Sequence, residues 1–115
     1  MKLRTLILGF GLILTAALVS SPSLMAQQGD AAAGKARYAK SCAGCHGVAG
    51  EPKAALAKVL KVEMRHLGAK EVLAKTDAEL RKDVVEGVGK MKPVKSLSDQ
   101  DVSNVIAFMR SFTEP

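Results

Sequence analysis

Hydrophobic and polar positions along this chain follow a helical period. Asp30 is a good N-cap ahead of Ala31-Ala32-Ala33, and Gly34, Tyr38 and Cys42 recur every four residues as one stripe. Thr76-Asp77-Ala78-Glu79 has the form of a capping box opening a helix through Val84 and Val85, and Gly87 stops it. Ser98-Asp99-Gln100-Asp101 opens the last helix in similar fashion, with Val102, Val105, Ile106, Met109 and Phe112 on its apolar side. Residues 51–75 are less regular. Leu56, Val59, Leu60 and Leu67 keep helical spacing, while Gly68 and the flanking charges predict short helices joined by loops. No segment reads convincingly as a strand and there is no internal repeat, so the expected class is all-α.

The first thirty residues differ from the rest. Lys2 and Arg4 precede an apolar run from Leu6 to Val19, broken only by Gly and Thr15, and no further charge appears before Asp30. The run is too short for a spanning helix and has the length and flanks of a secretory signal. Leu24-Met25-Ala26 offers a small residue for cleavage after Ala26. The expected organisation is therefore a cleaved signal over residues 1–26 and one domain over 27–115, periplasmic or otherwise exported. An uncleaved, membrane-tethering amino-terminal segment is the alternative.

Composition narrows the function. The 115 residues carry 17 Lys+Arg against 11 Asp+Glu, and removing the signal takes away two bases and no acid, leaving a modest positive excess. Nucleic acid is a poor match as partner, because the lysines are dispersed and few aromatics are available for base stacking. Aromatic residues make up only 3% and Trp is absent, so the core lacks the rings that usually dominate buried area. A bound group is one way to fill it.

After export the cysteines become informative. Cys42 and Cys45 are the only two, and His46 follows directly: Cys42-Ala43-Gly44-Cys45-His46 is the pattern of c-type haem attachment. A disulfide across two intervening residues would close too small a loop to stabilise much. A thioredoxin-like redox pair requires alternating strands and helices that this chain lacks. Zinc needs a fourth ligand, and His66 is the only other histidine. A chance arrangement is the remaining alternative. On a helix, positions 42, 45 and 46 project from one face, so two thioethers and an imidazole could grip one ring. Gly44 and Gly47 leave room for close approach and a turn.

With these residues in view, the chain resembles a small, single-domain class I c-type cytochrome over about residues 29–115. Gly34-Lys35-Ala36-Arg37-Tyr38 precedes the attachment motif as in that family's opening, and Gly87-Val88-Gly89-Lys90-Met91-Lys92-Pro93 matches its Met loop, except that Lys92 separates Met from Pro. The resemblance implies three to five helices around one covalently bound haem c. It implies thioethers at Cys42 and Cys45, His46 as proximal iron ligand and Met91 as distal ligand. It also implies a close crossing of the first and last helices, with Gly34 at the contact and Tyr38 near Phe108.

Position along the chain also favours Met91 as the second ligand. Met109 lies within the apolar stripe of the final helix, where packing is the plain explanation. Met64 and His66 sit close to His46 in sequence and among Lys61, Glu63 and Arg65, which suits a surface or propionate-side role. His66 is the rival, as imidazole is the stronger ligand and would lower the potential. Two filled axial positions leave no open site for substrate, so the expected role is a monomeric single-electron carrier and not an enzyme. The alternatives are a subunit of a larger oxidoreductase complex, and a haem enzyme or gas sensor with a weak sixth ligand. Lys90, Lys92 and Lys95 flank the Met loop and would favour acidic redox proteins as donor and acceptor.

Overall fold

A computed structural model describes residues 28–115; the expected signal segment, 1–26, lies outside the described residues. Asp30 accepts hydrogen bonds from the Ala32 and Ala33 amides at 2.8 and 3.2 Å, satisfying two of the donors left over at a helix start. Helix α1 then runs over Ala31–Ser41. Cys42, at φ −124°, breaks it, and α2 continues as a single turn over Ala43–His46. After a loop come α3 (Ala54–Leu60) and the one-turn α4 (Lys70–Leu73). The two expected capping boxes, Thr76 with Glu79 and Ser98 with Asp101, start α5 (Asp77–Glu86) and α6 (Asp99–Met109). Gly87, at φ +79°, ends α5 in a conformation that only glycine adopts freely.

The described residues are therefore helical, with one isolated bridge between Val88 and Met91 and no strand. The six helical segments exceed the expected three to five because two of them are single turns of four residues. The attachment motif occupies its own turn rather than the end of one continuous helix, since Cys42 leaves helical geometry.

Packing centres on the crossing of α1 and α6. A Cβ added at Gly34 would lie 1.9 Å from the Asn104 carbonyl oxygen, so hydrogen is the only side chain that fits between the two backbones. The same is true of Gly29 against the Ser103 carbonyl. Asn104, buried at the crossing, turns its side-chain oxygen toward the Asp30 amide at 2.8 Å, which fixes the start of α1 on α6. Arg37 pairs with Asp101 at 2.9 Å on the same seam. Beyond the crossing, Tyr38, Phe108 and Phe112 meet edge to face with centroids 5.1–5.4 Å apart. Val102, Val105, Ile106, Met109 and Leu80 complete the buried cluster. Met109 is thus a core residue, as its position in the stripe predicts.

The crossing makes Gly34→Ala costly. Neither backbone can yield without moving a helix, so the substitution is expected to destabilise by about 3 kcal/mol, at the upper end of ordinary overpacking. Thermal unfolding of the haem-loaded protein should show Tm lowered by roughly 10 °C or more, whereas Gly44→Ala, with no atom within 4 Å of the added Cβ, should leave Tm nearly unchanged.

Candidate haem site

Cys42, Cys45 and His46 share one helical turn. The amides of Cys45 and His46 donate to the Cys42 carbonyl at 3.1 and 2.9 Å, which keeps the three residues in helical register despite the break at Cys42. Both cysteines are free thiols, Cys45 exposed and Cys42 half-buried against the core. Burial, and then the neighbouring Cys45, pushes the Cys42 thiol up to about 11. A disulfide-exchange centre depends on the opposite shift, so the redox-pair alternative gains no support. Burial also holds the His46 imidazole below its ordinary range, in the neutral form that a metal ligand requires. Its Nδ1 is buried with no hydrogen-bond partner among the described residues. Two thiols and a neutral imidazole that the protein leaves uncommitted, on one turn, fit the covalent attachment of haem.

The turn after the motif is secured from both sides. Gly47 adopts φ +65° and Gly50 φ +86°, and the intervening amides of Val48 and Ala49 donate to the Glu51 carboxylate at 3.2 and 2.7 Å. Its own N–H first, and then that of Ala49, hold the Glu51 carboxyl below the usual range. From the core side, the Tyr38 hydroxyl donates to the Gly47 carbonyl at 2.8 Å and to the His46 carbonyl at 3.1 Å. Burial pushes the Tyr38 phenol well above its ordinary range, so it remains a donor at any physiological pH. The sequence identified Tyr38 by its apolar stripe; its hydroxyl, which ties the motif to the core, carried no signal of its own. Glu51 was missed for the same reason.

Met91 sits on a different segment. Val88 and Met91 exchange backbone hydrogen bonds of 3.0 and 2.9 Å around Gly89 and Lys90, with Gly89 at φ +56°. A Cβ at Gly87 would lie 2.5 Å from the Met91 carbonyl oxygen, so this glycine lets the chain fold back on itself. Residues 86–93 line an open cleft, and Met91 is half-buried in it. The packed route runs from α2 to α1, from α1 to α6 and from α6 to α5.

His66 is not the surface residue its charged neighbours suggested. It is buried, and its Nδ1 accepts the Gly68 amide at 2.9 Å. Leu67, next to it, donates its amide to the Gly50 carbonyl at 2.9 Å. The histidine thus shapes a backbone turn that packs on the loop after the motif.

A family model described as Cytochrome c matches residues 31–113. Among solved structures, KustC0563 c-type cytochrome is similar to this chain with a TM-score of 0.61 and 28% identity, over 70% of this chain and 98% of that one. No curated protein matches the chain significantly.

The Glu51 turn makes the site sensitive to acid. A carboxylate whose folded pKa lies below its ordinary 4.5 contributes stability that is fully present above that value and is lost as pH falls through the folded pKa. Glu51→Gln is therefore expected to be less stable than the parent at pH 7, with the difference closing on acidification. Denaturant unfolding at a series of pH values from neutral to strongly acidic checks this.

Proposed function

The chain belongs to the cytochrome c family, and from that premise we propose that it is an exported single-electron carrier whose iron is held by His46 and Met91. The family binds haem c covalently through Cys-x-x-Cys and serves electron transfer. In this chain the thioethers fall to Cys42 and Cys45. When bound, haem supplies an iron centre that cycles between two oxidation states by one electron.

The residues around it explain how such a centre is held. The two thiols on one turn would hold the ring covalently, and the next side chain, His46, would offer it a neutral lone pair. Tyr38 holds the carbonyls of His46 and Gly47 with one shared hydroxyl hydrogen, so the backbone that carries the imidazole is tied to the core. The Met91 loop, folded tightly on itself, presents a thioether from a separate segment. Soft sulfur and imidazole as ligands would favour the reduced metal and raise the potential. The single observation that carries the haem assignment is His46, held neutral by burial with its Nδ1 unpartnered, beside two free cysteines on one turn. Residues 1–26 serve as the export signal, in keeping with a covalent haem attached outside the cytoplasm.

Expression with a working haem-attachment system tests the assignment. A denaturing gel stained for haem peroxidase activity should show a band for the parent and a weak or absent one for Cys42→Ala and Cys45→Ala. Met91→Ala should remove the sulfur-to-iron charge-transfer absorption and lower the potential, while His66→Ala keeps both. A His66 variant with those losses beside a native Met91 variant would reassign the ligand.

Lys90, Lys92 and Lys95 are all exposed beside the Met91 loop, and Val88 is 52% exposed among them. An apolar contact rimmed by positive charge suits an acidic redox protein. Reversing Lys92 and Lys95 to Glu should slow association with an acidic acceptor at low salt and flatten its dependence on ionic strength. An unchanged rate at low salt would place docking elsewhere.

A further inference from the structure

The loop that carries Met91 is rigidly joined to α5. Beyond the Val88–Met91 pair, the Val94 amide donates to the Val84 carbonyl at 2.9 Å, closing residues 85–93 into one body with the helix. Wherever α5 lies, the Met91 backbone follows. Yet α5 has little apolar attachment: Leu80 is its one buried residue, with Val84 partly buried against the core.

Polar contacts supply the rest, at two separated points. Near the middle of α5, Arg81 donates to the Asp99 carboxylate at 3.3 Å, the Asp99 carbonyl at 3.1 Å and the Ser103 hydroxyl at 2.6 Å, all on the opening turns of α6. At the far end of α6, Arg110 reaches back to the start of α5. Its Nε donates to Asp77 at 2.8 Å, and its two terminal nitrogens donate to the Leu73 carbonyl at 3.0 Å and the Lys75 carbonyl at 2.7 Å. Those carbonyls follow from the end of α4, where helix geometry leaves acceptors without partners. The early part of α5 meets the late part of α6 and its middle meets the early part, so the helices run antiparallel between two pins. One pin would allow α5 to pivot. Two oppose both pivoting and sliding.

We propose that Arg81 and Arg110 are positioning residues for Met91, holding α5 so that its loop delivers the sulfur to the iron. The proposal rests on the reading of Met91 as ligand. Each arginine works through its planar fork, which joins a carboxylate to neutral acceptors at fixed spacing. A lysine keeps the charge but cannot span the Arg110 partners. Removing a pin raises the population in which the sulfur is away from the metal, and an exogenous ligand then binds more tightly in proportion.

The test uses the full haem-loaded chain with Arg81→Ala, Arg110→Ala, Arg110→Lys and Met91→Ala. Three quantities are read: cyanide affinity of the oxidised protein, the sulfur-to-iron charge-transfer absorption, and amide exchange in α1 and α6. Arg110→Ala and Arg110→Lys should bind cyanide about tenfold more tightly than the parent, with a weakened band and unchanged protection in α1 and α6. Arg81→Ala should move in the same direction. Native cyanide affinity in both alanine variants, alongside a raised affinity in Met91→Ala, would refute the pins and leave the ligand reading intact. Full rescue by Arg110→Lys would refute the fork. Lost protection in α1 and α6 in step with the cyanide effect would reduce both arginines to general stability. A native cyanide affinity in Met91→Ala would overturn the ligand reading, and this proposal with it.

Discussion

Everything in this chain that bears on the haem is referred to one contact, the crossing of α1 and α6 at Gly34 and Asn104. A Cβ at position 34 would fall 1.9 Å from a carbonyl oxygen, so the two helix axes are as close as backbones allow. Close approach brings the side chains beyond the crossing into a mutual aromatic cluster and buries the Asn104 amide, which then captures the Asp30 amide. The attachment motif hangs from the end of α1 and is tied back by the Tyr38 hydroxyl. The Met91 loop hangs from α5, which is pinned to α6. Among the helices, α2 packs on α1, α1 crosses α6 and α6 carries α5, so the geometry of that crossing bears on where the motif and the Met91 loop lie.

Much of this order was legible because it depends on local chemistry. Capping boxes are short-range patterns whose partners lie three residues apart, and both formed where Thr76 and Ser98 stood. The spacing of Gly34, Tyr38 and Cys42 announced a stripe, and the first two of these are buried. The Cys-x-x-Cys-His string announced its own chemistry, since two thioethers and an imidazole require that spacing. What was not legible depends on the far side of the chain. Cys42 lies at the point where α1 gives way to α2, a break no propensity signals. The roles of Arg81 and Arg110 are fixed by partners 18 to 37 residues away. His66 sits among charged neighbours, and its burial follows only from the packing of its turn against the loop at Gly50.

The division of labour among the elements follows from where apolar surface is spent. All the described aromatic rings lie in one cluster on α1 and around the end of α6, which leaves none for the rest of the chain. Helices α2, α3 and α4 contain no buried residue among their own positions. Helices of four and seven residues are too short to persist on propensity alone, so their order must come from a surface they rest upon. In a member of the cytochrome c family the porphyrin supplies apolar surface of that kind. Val48 and Val59 are each 77% exposed and Leu60 37%, apolar surface that such a partner would cover.

This allocation has a consequence for how the chain reaches its native state. The α1–α6 crossing joins the two ends of the domain, so it carries a high loop-closure cost and little is gained until both helices are in place. A covalent haem would shorten the problem from the amino-terminal side, because it is fixed to the turn that follows α1 and would give the segment between residues 48 and 75 an apolar partner before α6 docks. Covalent attachment at that turn would thus aid folding as well as hold the cofactor. It would make the cofactor part of the chain itself, attached on the same turn as His46 and independent of any contact that the crossing must first bring into register.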